Sequence, residues 1–181
     1  GLKTRAHAEQ VEHTGISGAA AALGATCVDH LERARESDIA SMASHGTVAV
    51  LLPGAQLYLR DAPPPVEALR EAGVAMAVGT DLNPGSSPVH DIWTCATLAC
   101  IVQGLTIDEA LLGITRNAAK ALGRQEAGWL GVGRAADIAL FRPPHGEPPT
   151  PESLVQHMGH EGAVLSVWDG QVRWRSQHWE G

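Results

Sequence analysis

The chain has 181 residues, 44% of them hydrophobic, and its 13 Lys and Arg against 20 Asp and Glu give a formal net charge of −7. That composition belongs to a folded globular chain and excludes a disordered or fibrous one. The acidic balance and the lack of a Lys/Arg block exclude nucleic acid as the expected partner, since cationic side chains supply most of that affinity. No apolar run approaches the roughly 18 residues that span a bilayer, and no signal-peptide pattern opens the chain, so no membrane and a cytoplasmic setting are expected.

Taken in chain order, residues 2–8, 25–29, 47–52 and 74–80 are short apolar runs without clean alternation, the pattern of parallel strands buried on both faces. Helical stretches at 15–23, 37–44 and 65–72 lie between them, closed by Gly24, Gly46 and Gly73. A Gly, Pro and Ser rich loop follows at 83–88, a tight turn in which Asn83 or Ser87 acts as a cap. A helix is then expected at about 91–102 and a second over 106–122, opened by the capping box Thr106 to Glu109. Segments 136–141, 164–168 and 171–174 read as strands, the last two joined by the turn Asp169-Gly170 into a hairpin. Residues 142–151 hold five of the eleven prolines and read as an exposed loop.

Strands alternating with helices suggest a doubly wound sheet or part of a (β/α)8 barrel. A full barrel needs about 250 residues, and four βα units are visible, so an open half with unpaired edges is expected, completed by residues upstream of Gly1 or by a partner. Cys27, Cys95 and Cys100 are odd in number and in apolar context, hence reduced core thiols. His157-Met158-Gly159-His160, His13, His45, His90, His145 and His178 read as solvated surface. Trp168, Trp174 and Trp179 read as packing of a small β domain.

Polar residues stand where the candidate strands end: His7 on the first, Asp29-His30 on the second, Thr80-Asp81 on the fourth. In parallel α/β folds ligands gather at that end, and imidazole with carboxylate suits a zinc or iron centre. The runs His7-Ala8-Glu9-Gln10, Val28-Asp29-His30-Leu31, Leu51-Leu52-Pro53-Gly54 and Thr80-Asp81-Leu82-Asn83-Pro84-Gly85-Ser86 resemble the imidazolonepropionases of the amidohydrolase superfamily. Segments 105–123 and 128–137 resemble more general superfamily features.

The resemblance implies an α/β fold: the C-terminal half of a (β/α)8 TIM barrel, about four βα units over residues 1–127, followed at 128–181 by strands of a small β-sandwich domain. It implies hydrolysis of the ring amide of 4-imidazolone-5-propanoate to N-formimino-L-glutamate in histidine degradation, with one divalent ion, zinc or iron. His7 and Asp81 are the implied metal ligands, and Asp81 and His30 the catalytic residues. Gln10, His30, Asn83, Gly85 and Ser86 are the implied substrate contacts. At Gln10 related hydrolases often carry a Glu; an amide orients a substrate but transfers no proton. The family's His-x-His pair and its substrate-holding Arg, Tyr and further His have no counterpart here, so the missing half of the barrel is required for activity, and a homodimer is the family's common assembly. Two alternatives stand beside this: another amidohydrolase such as an aminohydrolase of heterocyclic amines, which the Asn-Pro-Gly-Ser run and Gln10 oppose, and a noncatalytic half-barrel that needs a partner chain.

Overall fold

In the computed structural model, which describes residues 2–143, 146–159, 162–177 and 179, four strands form one parallel sheet in chain order. They are β1 (Arg5–Ala8), β2 (Cys27–His30), β3 (Val48–Leu51) and β4 (Met76–Val78). The connections carry α1 (Ile16–Ala22), α2 (Glu36–His45), and the pair α3 (Pro53–Leu59) and α4 (Val66–Glu71). In-register parallel pairing places His7, Asp29, Val50 and Ala77 side by side across the sheet, and their neighbours two residues away share their face. The other face, with Ala8, Val28, Ala49, Leu51, Met76 and Val78, packs on Ala20, Ala21, Ile39, Met42 and Leu69 of the helices in one continuous core. Helices from all three connections, α1, α2 and α4, therefore lean on one side of the sheet.

The opposite face is covered by a different device. The run expected as one helix over 106–122 is two, α6 (Ile107–Ile114) and α7 (Arg116–Ala121), preceded by α5 (Ile92–Gln103). The break falls at Thr115, with φ −123° and ψ −95°. Its hydroxyl donates to the Leu111 carbonyl at 2.6 Å, a local bond that competes with the helical ladder. The chain turns there, and Ala121 of α7 joins Cys27, Val48 and Ala77 in a small cluster on the far face. Asn117 Nδ2 donates to the Met76 carbonyl at 2.9 Å and pins α7 to the start of β4.

The remaining residues add β5 (Ile138–Phe141), α8 (Pro151–Val155), β6 (Ala163–Trp168) and β7 (Gln171–Arg175), the strands pairing antiparallel as β5-β6-β7. Trp93 meets Phe141 edge-on at 4.9 Å, and a cluster with Ala96, Ala110 and Val155 binds this segment to α5 and α6. The Thr97 hydroxyl donates to the Val155 carbonyl at 2.6 Å.

Several expectations are corrected. The strands are shorter than their apolar runs. Helix α3, for which no element was expected, begins at Pro53, where a proline in the first turn has no amide to leave unsatisfied. Helix α8, capped by Thr150, ends what was read as a proline loop. Trp168 and Trp174 are exposed, because the three-stranded sheet leaves them no cover among the described residues; Trp93 is the buried tryptophan. Cys27 and Cys95 are buried and burial pushes their thiols up to about 12 and about 11, whereas Cys100 is half-buried. His145, His160 and His178 lie outside the described residues.

The capping box is present as expected: Thr106 Oγ accepts from the Glu109 amide at 3.2 Å, and Glu109 Oε2 accepts from the Thr106 amide at 2.8 Å. Glu109 also receives Arg70 of α4 as a two-point pair at 2.7 and 2.9 Å. The guanidinium, more than burial opposes it, holds the carboxyl below its usual value of 4.5. A carboxyl depressed in the folded chain stabilises it above the unfolded value, and that share is lost as pH falls through the folded value. The midpoint of urea unfolding should therefore drop on the acid side of about pH 4.5, and Glu109→Gln should flatten that drop; an unchanged pH slope in the variant would refute the assignment.

Candidate functional site

The site is assembled at the C-terminal edge of the parallel sheet, where the chain leaves β1, β2 and β4 in the left-handed region. Glu9 (φ 58°), His30 (φ 80°), Leu31 (φ 75°) and Asp81 (φ 49°) all have positive φ. Such conformations are costly for residues with a Cβ and persist where surrounding structure imposes them, commonly at functional sites. Here they turn side chains from three strand ends toward one another. Donor atoms of His7, His30 and Asp81 all lie within 4.8 Å of each other. The His7 and His30 rings stand 5.2 Å apart at 49°. His7 is exposed and His30 buried, so one imidazole faces the opening and the other forms the floor.

Each donor is placed by its own local structure. Just after β1, Glu9 follows His7 by two and is 1% exposed. Its carboxylate accepts from the Thr14 amide at 2.6 Å, the Ser17 amide at 3.1 Å, and both hydroxyls at 3.2 Å. Burial raises its pKa, yet these four bonds outweigh it and hold the carboxyl below its ordinary value. It thereby closes the N-terminus of α1, where Gly15 has no side chain to do so, and ties down the loop that carries Gln10. Gln10, His7, Glu12, Thr14 and His30 line a hollow of about 250 Å³.

Glu9 also stands beside His13 and Asp38 as a second set of possible donors. Those oxygens are already committed: Asp38 Oδ2 accepts from the Arg35 amide at 2.9 Å and stands 2.9 Å from His13 Nε2. His13, read as solvated surface, is thus a structural link from the β1–α1 loop to α2. Sequence reasoning missed it because its partner lies 25 residues away.

On β2, Asp29 faces His7, with 3.4 Å between Oδ2 and Nε2, while Oδ1 receives the Cys27 thiol at 3.5 Å. Burial raises the Asp29 carboxyl, and the nearby His7 works against that rise. Asp29 had been noted only as a strand-end residue; its pairing with His7 follows from strand register, which a single sequence does not show.

After β4, the loop from Asp81 is built by Asn83. Its Oδ1 accepts from the amides of Gly85 and Ser86 at 2.9 and 2.8 Å and from the Ser86 hydroxyl at 3.2 Å. Its Nδ2 donates to the Asp81 carbonyl at 2.7 Å and reaches Asp81 Oδ2 at 3.4 Å. The side chain expected to touch substrate is spent on holding the turn and on Asp81. The capping expected of Asn83 and Ser87 belongs to this loop, whereas α5 is capped by Asp91, which accepts from the Trp93 and Thr94 amides. Ser87 Oγ donates to the Thr80 carbonyl at 2.6 Å, and a Cβ on Gly54 would lie 2.8 Å from that hydroxyl oxygen. Only glycine at 54 lets α3 pass this close beneath the loop.

Residues 3–170 match the model described as the amidohydrolase family. The chain belongs to the amidohydrolase family. It is 47% identical over 171 residues to the imidazolonepropionase of Maricaulis maris, covering 92% of this chain and 41% of that protein. Against the imidazolonepropionase of a Polaromonas species it is 51% identical over 144 residues, 78% of this chain and 34% of that one. Among solved structures, an atrazine chlorohydrolase mutant from Arthrobacter aurescens, complexed with zinc and atraton, superimposes with a TM-score of 0.74 at 25% identity, over 82% of this chain and 36% of that one. This amidohydrolase chain thus spans about two fifths of the length of the curated relatives it matches. The imidazole and carboxylate donors gathered within 4.8 Å fit a divalent ion of the kind that the solved relative holds.

Proposed function

We propose that this chain is the C-terminal portion of an imidazolonepropionase, which hydrolyses the ring amide of 4-imidazolone-5-propanoate to N-formimino-L-glutamate in the cytoplasm. Residues 1–127 are the last four βα units of a (β/α)8 barrel and 128–181 the C-terminal β segment of a small composite domain. The sequential order β1-β2-β3-β4 with the connecting helices α1, α2 and α4 on one side supports barrel winding, since doubly wound sheets reverse their order. Among the described residues, the outer edges of β1 and β4 pair with no strand. An apolar hollow of about 480 Å³ lined by Ile114, Leu122, Trp129, Leu130 and Phe141 offers cover to a further segment. The rest of the barrel supplies those edges with partners and the site with its remaining ligands.

The observation that carries the reading is the convergence of His7, His30 and Asp81 from three separate strand ends, in a chain whose relatives at 47% and 51% identity are imidazolonepropionases. His7 and Asp81 would hold one divalent ion, zinc or iron. When bound, such an ion supplies Lewis acidity that activates water at neutral pH. Asp81 takes the proton from the attacking water at a carboxylate oxygen and returns it to the ring nitrogen as the amide C–N bond breaks. His30, on the buried floor, lies near the attacked carbonyl and assists proton movement there through a bare ring nitrogen. Gln10 hydrogen-bonds the substrate from the anchored β1–α1 loop, Gly85 and Ser86 face it from the loop after β4, and Asn83 shapes that loop.

The test is a hybrid in which this chain replaces its aligned segment in the Maricaulis maris enzyme. The hybrid should bind one metal ion per chain and consume 4-imidazolone-5-propanoate in preference to cytosine or guanine. Turnover of the amines alone would instead favour an aminohydrolase, and a folded hybrid with neither metal nor turnover would make this chain a noncatalytic half-barrel.

A further inference from the structure

Of the buried acids, Glu9 and Asp38 hold loops, and Glu32 is left without an assigned part. Glu32 lies two residues beyond His30, just after β2, with its side chain 2% exposed. Its Oε2 has no hydrogen-bond partner, and neither does the buried Nδ1 of His30. The two groups face each other, with 3.8 Å between His30 Nδ1 and Glu32 Oε1. That gap exceeds a hydrogen bond, yet it is too short for a bridging water, whose two bonds of about 2.8 Å at a tetrahedral angle would set the partners about 4.5 Å apart. A buried carboxylate and a buried imidazole nitrogen left unpaired each carry a desolvation cost that a direct bond removes. The same ring lines the hollow of the site and joins the donor group of His7 and Asp81.

We propose that Glu32 is a positioning residue for His30. Its carboxylate accepts the proton of Nδ1, and this fixes the neutral ring in the tautomer whose bare Nε2 points into the site. An imidazole has one protonated and one bare nitrogen, and the partner of one decides the state of the other. A carboxylate behind the ring therefore guarantees a lone pair in front of it, whether that lone pair serves a proton or a metal ion. The same bond locks the ring against rotation. Two consecutive left-handed residues, His30 and Leu31, bring Glu32 back under the ring in so short a span.

The catalytic meaning of this bond rests on the role proposed above for His30, but the bond itself is tested without turnover. In the full chain labelled with ¹⁵N-histidine, long-range proton–nitrogen correlation at one fixed neutral pH reports which nitrogen of each ring carries the proton. The His30 signals are those lost in a His30→Gln variant. The expected result is a protonated Nδ1 and a bare Nε2 in the parent chain. Glu32→Gln keeps an acceptor oxygen and should keep that pattern, while Glu32→Leu should release it to a mixture of tautomers. A parent ring protonated on Nε2, or a Glu32→Leu ring indistinguishable from the parent, would overturn the proposal. In the hybrid enzyme, Glu32→Leu should lower kcat about 10- to 100-fold with KM little changed, and Glu32→Gln should restore most of it. A hybrid without turnover whose His30 still shows the Nδ1-protonated pattern would defeat the hydrolase reading and leave this inference standing.

Discussion

Asp81→Asn in the hybrid imidazolonepropionase should lower kcat by about 10²–10⁴-fold, the range for loss of a general acid or base. The substitution preserves shape: an amide still accepts through its oxygen, and the loop contacts from Asn83 to the Asp81 backbone carbonyl do not depend on the carboxylate. What disappears is the capacity to take a proton from water and give it to the leaving nitrogen. The melting temperature should therefore stay close to that of the parent while turnover collapses, and metal content measured on the same sample separates lost proton transfer from a lost ligand. Turnover within tenfold of the parent would remove Asp81 from the chemistry.

The largest effect on stability is expected at Gly128, where the chain leaves α7 for the β segment. Its φ is +80°, and a Cβ there would lie 2.6 Å from the Thr115 carbonyl oxygen, 2.9 Å from the Arg116 Cα and 2.9 Å from the Ala119 Cβ. Two of those obstacles are backbone atoms, which do not step aside. A left-handed alanine costs roughly 1–2 kcal/mol and forced packing about 1–3 kcal/mol more, so Gly128→Ala should destabilise the chain by about 2–5 kcal/mol. Gly24 has the same φ of +80° with open space around it, so Gly24→Ala isolates the conformational part at roughly 1–2 kcal/mol. Urea unfolding of both variants checks the difference, and equal losses would show that the contacts at Gly128 relax freely.

Gly128 also illustrates what a sequence conceals. Read along the chain, Gly128 is one more loop glycine, and nothing in its neighbours shows that it is pressed against Thr115. The same holds at Thr115: capping residues and apolar spacing mark a helix over 106–122, but the break depends on a face of the sheet that α7 can cover and α6 cannot. Trp174 was misplaced for a related reason, since a large apolar residue is buried only if another layer reaches it.

The strand-end residues of the candidate site were legible because their signal is local. His7, His30 and Asp81 are polar residues ending apolar runs, and parallel strands put such residues on one edge whatever the loops between them do. Their supports were not legible, since each is a contact made across the fold: Asp29 meets His7 only through the register of β1 and β2, and His13 meets Asp38 across 25 residues. Glu32 is close to His30 in sequence, yet only the left-handed turn brings it under the ring.

By itself, then, the sequence determined the parallel βα units, the strand-end residues and the likeness to the amidohydrolases, because periodicity, caps and motifs are written in neighbouring residues. Only the tertiary structure decided which side chains face the site, which acids are spent on holding loops and which glycines cannot be replaced. Those properties depend on backbone dihedrals and on distances between residues far apart in the chain, and neither is encoded one position at a time.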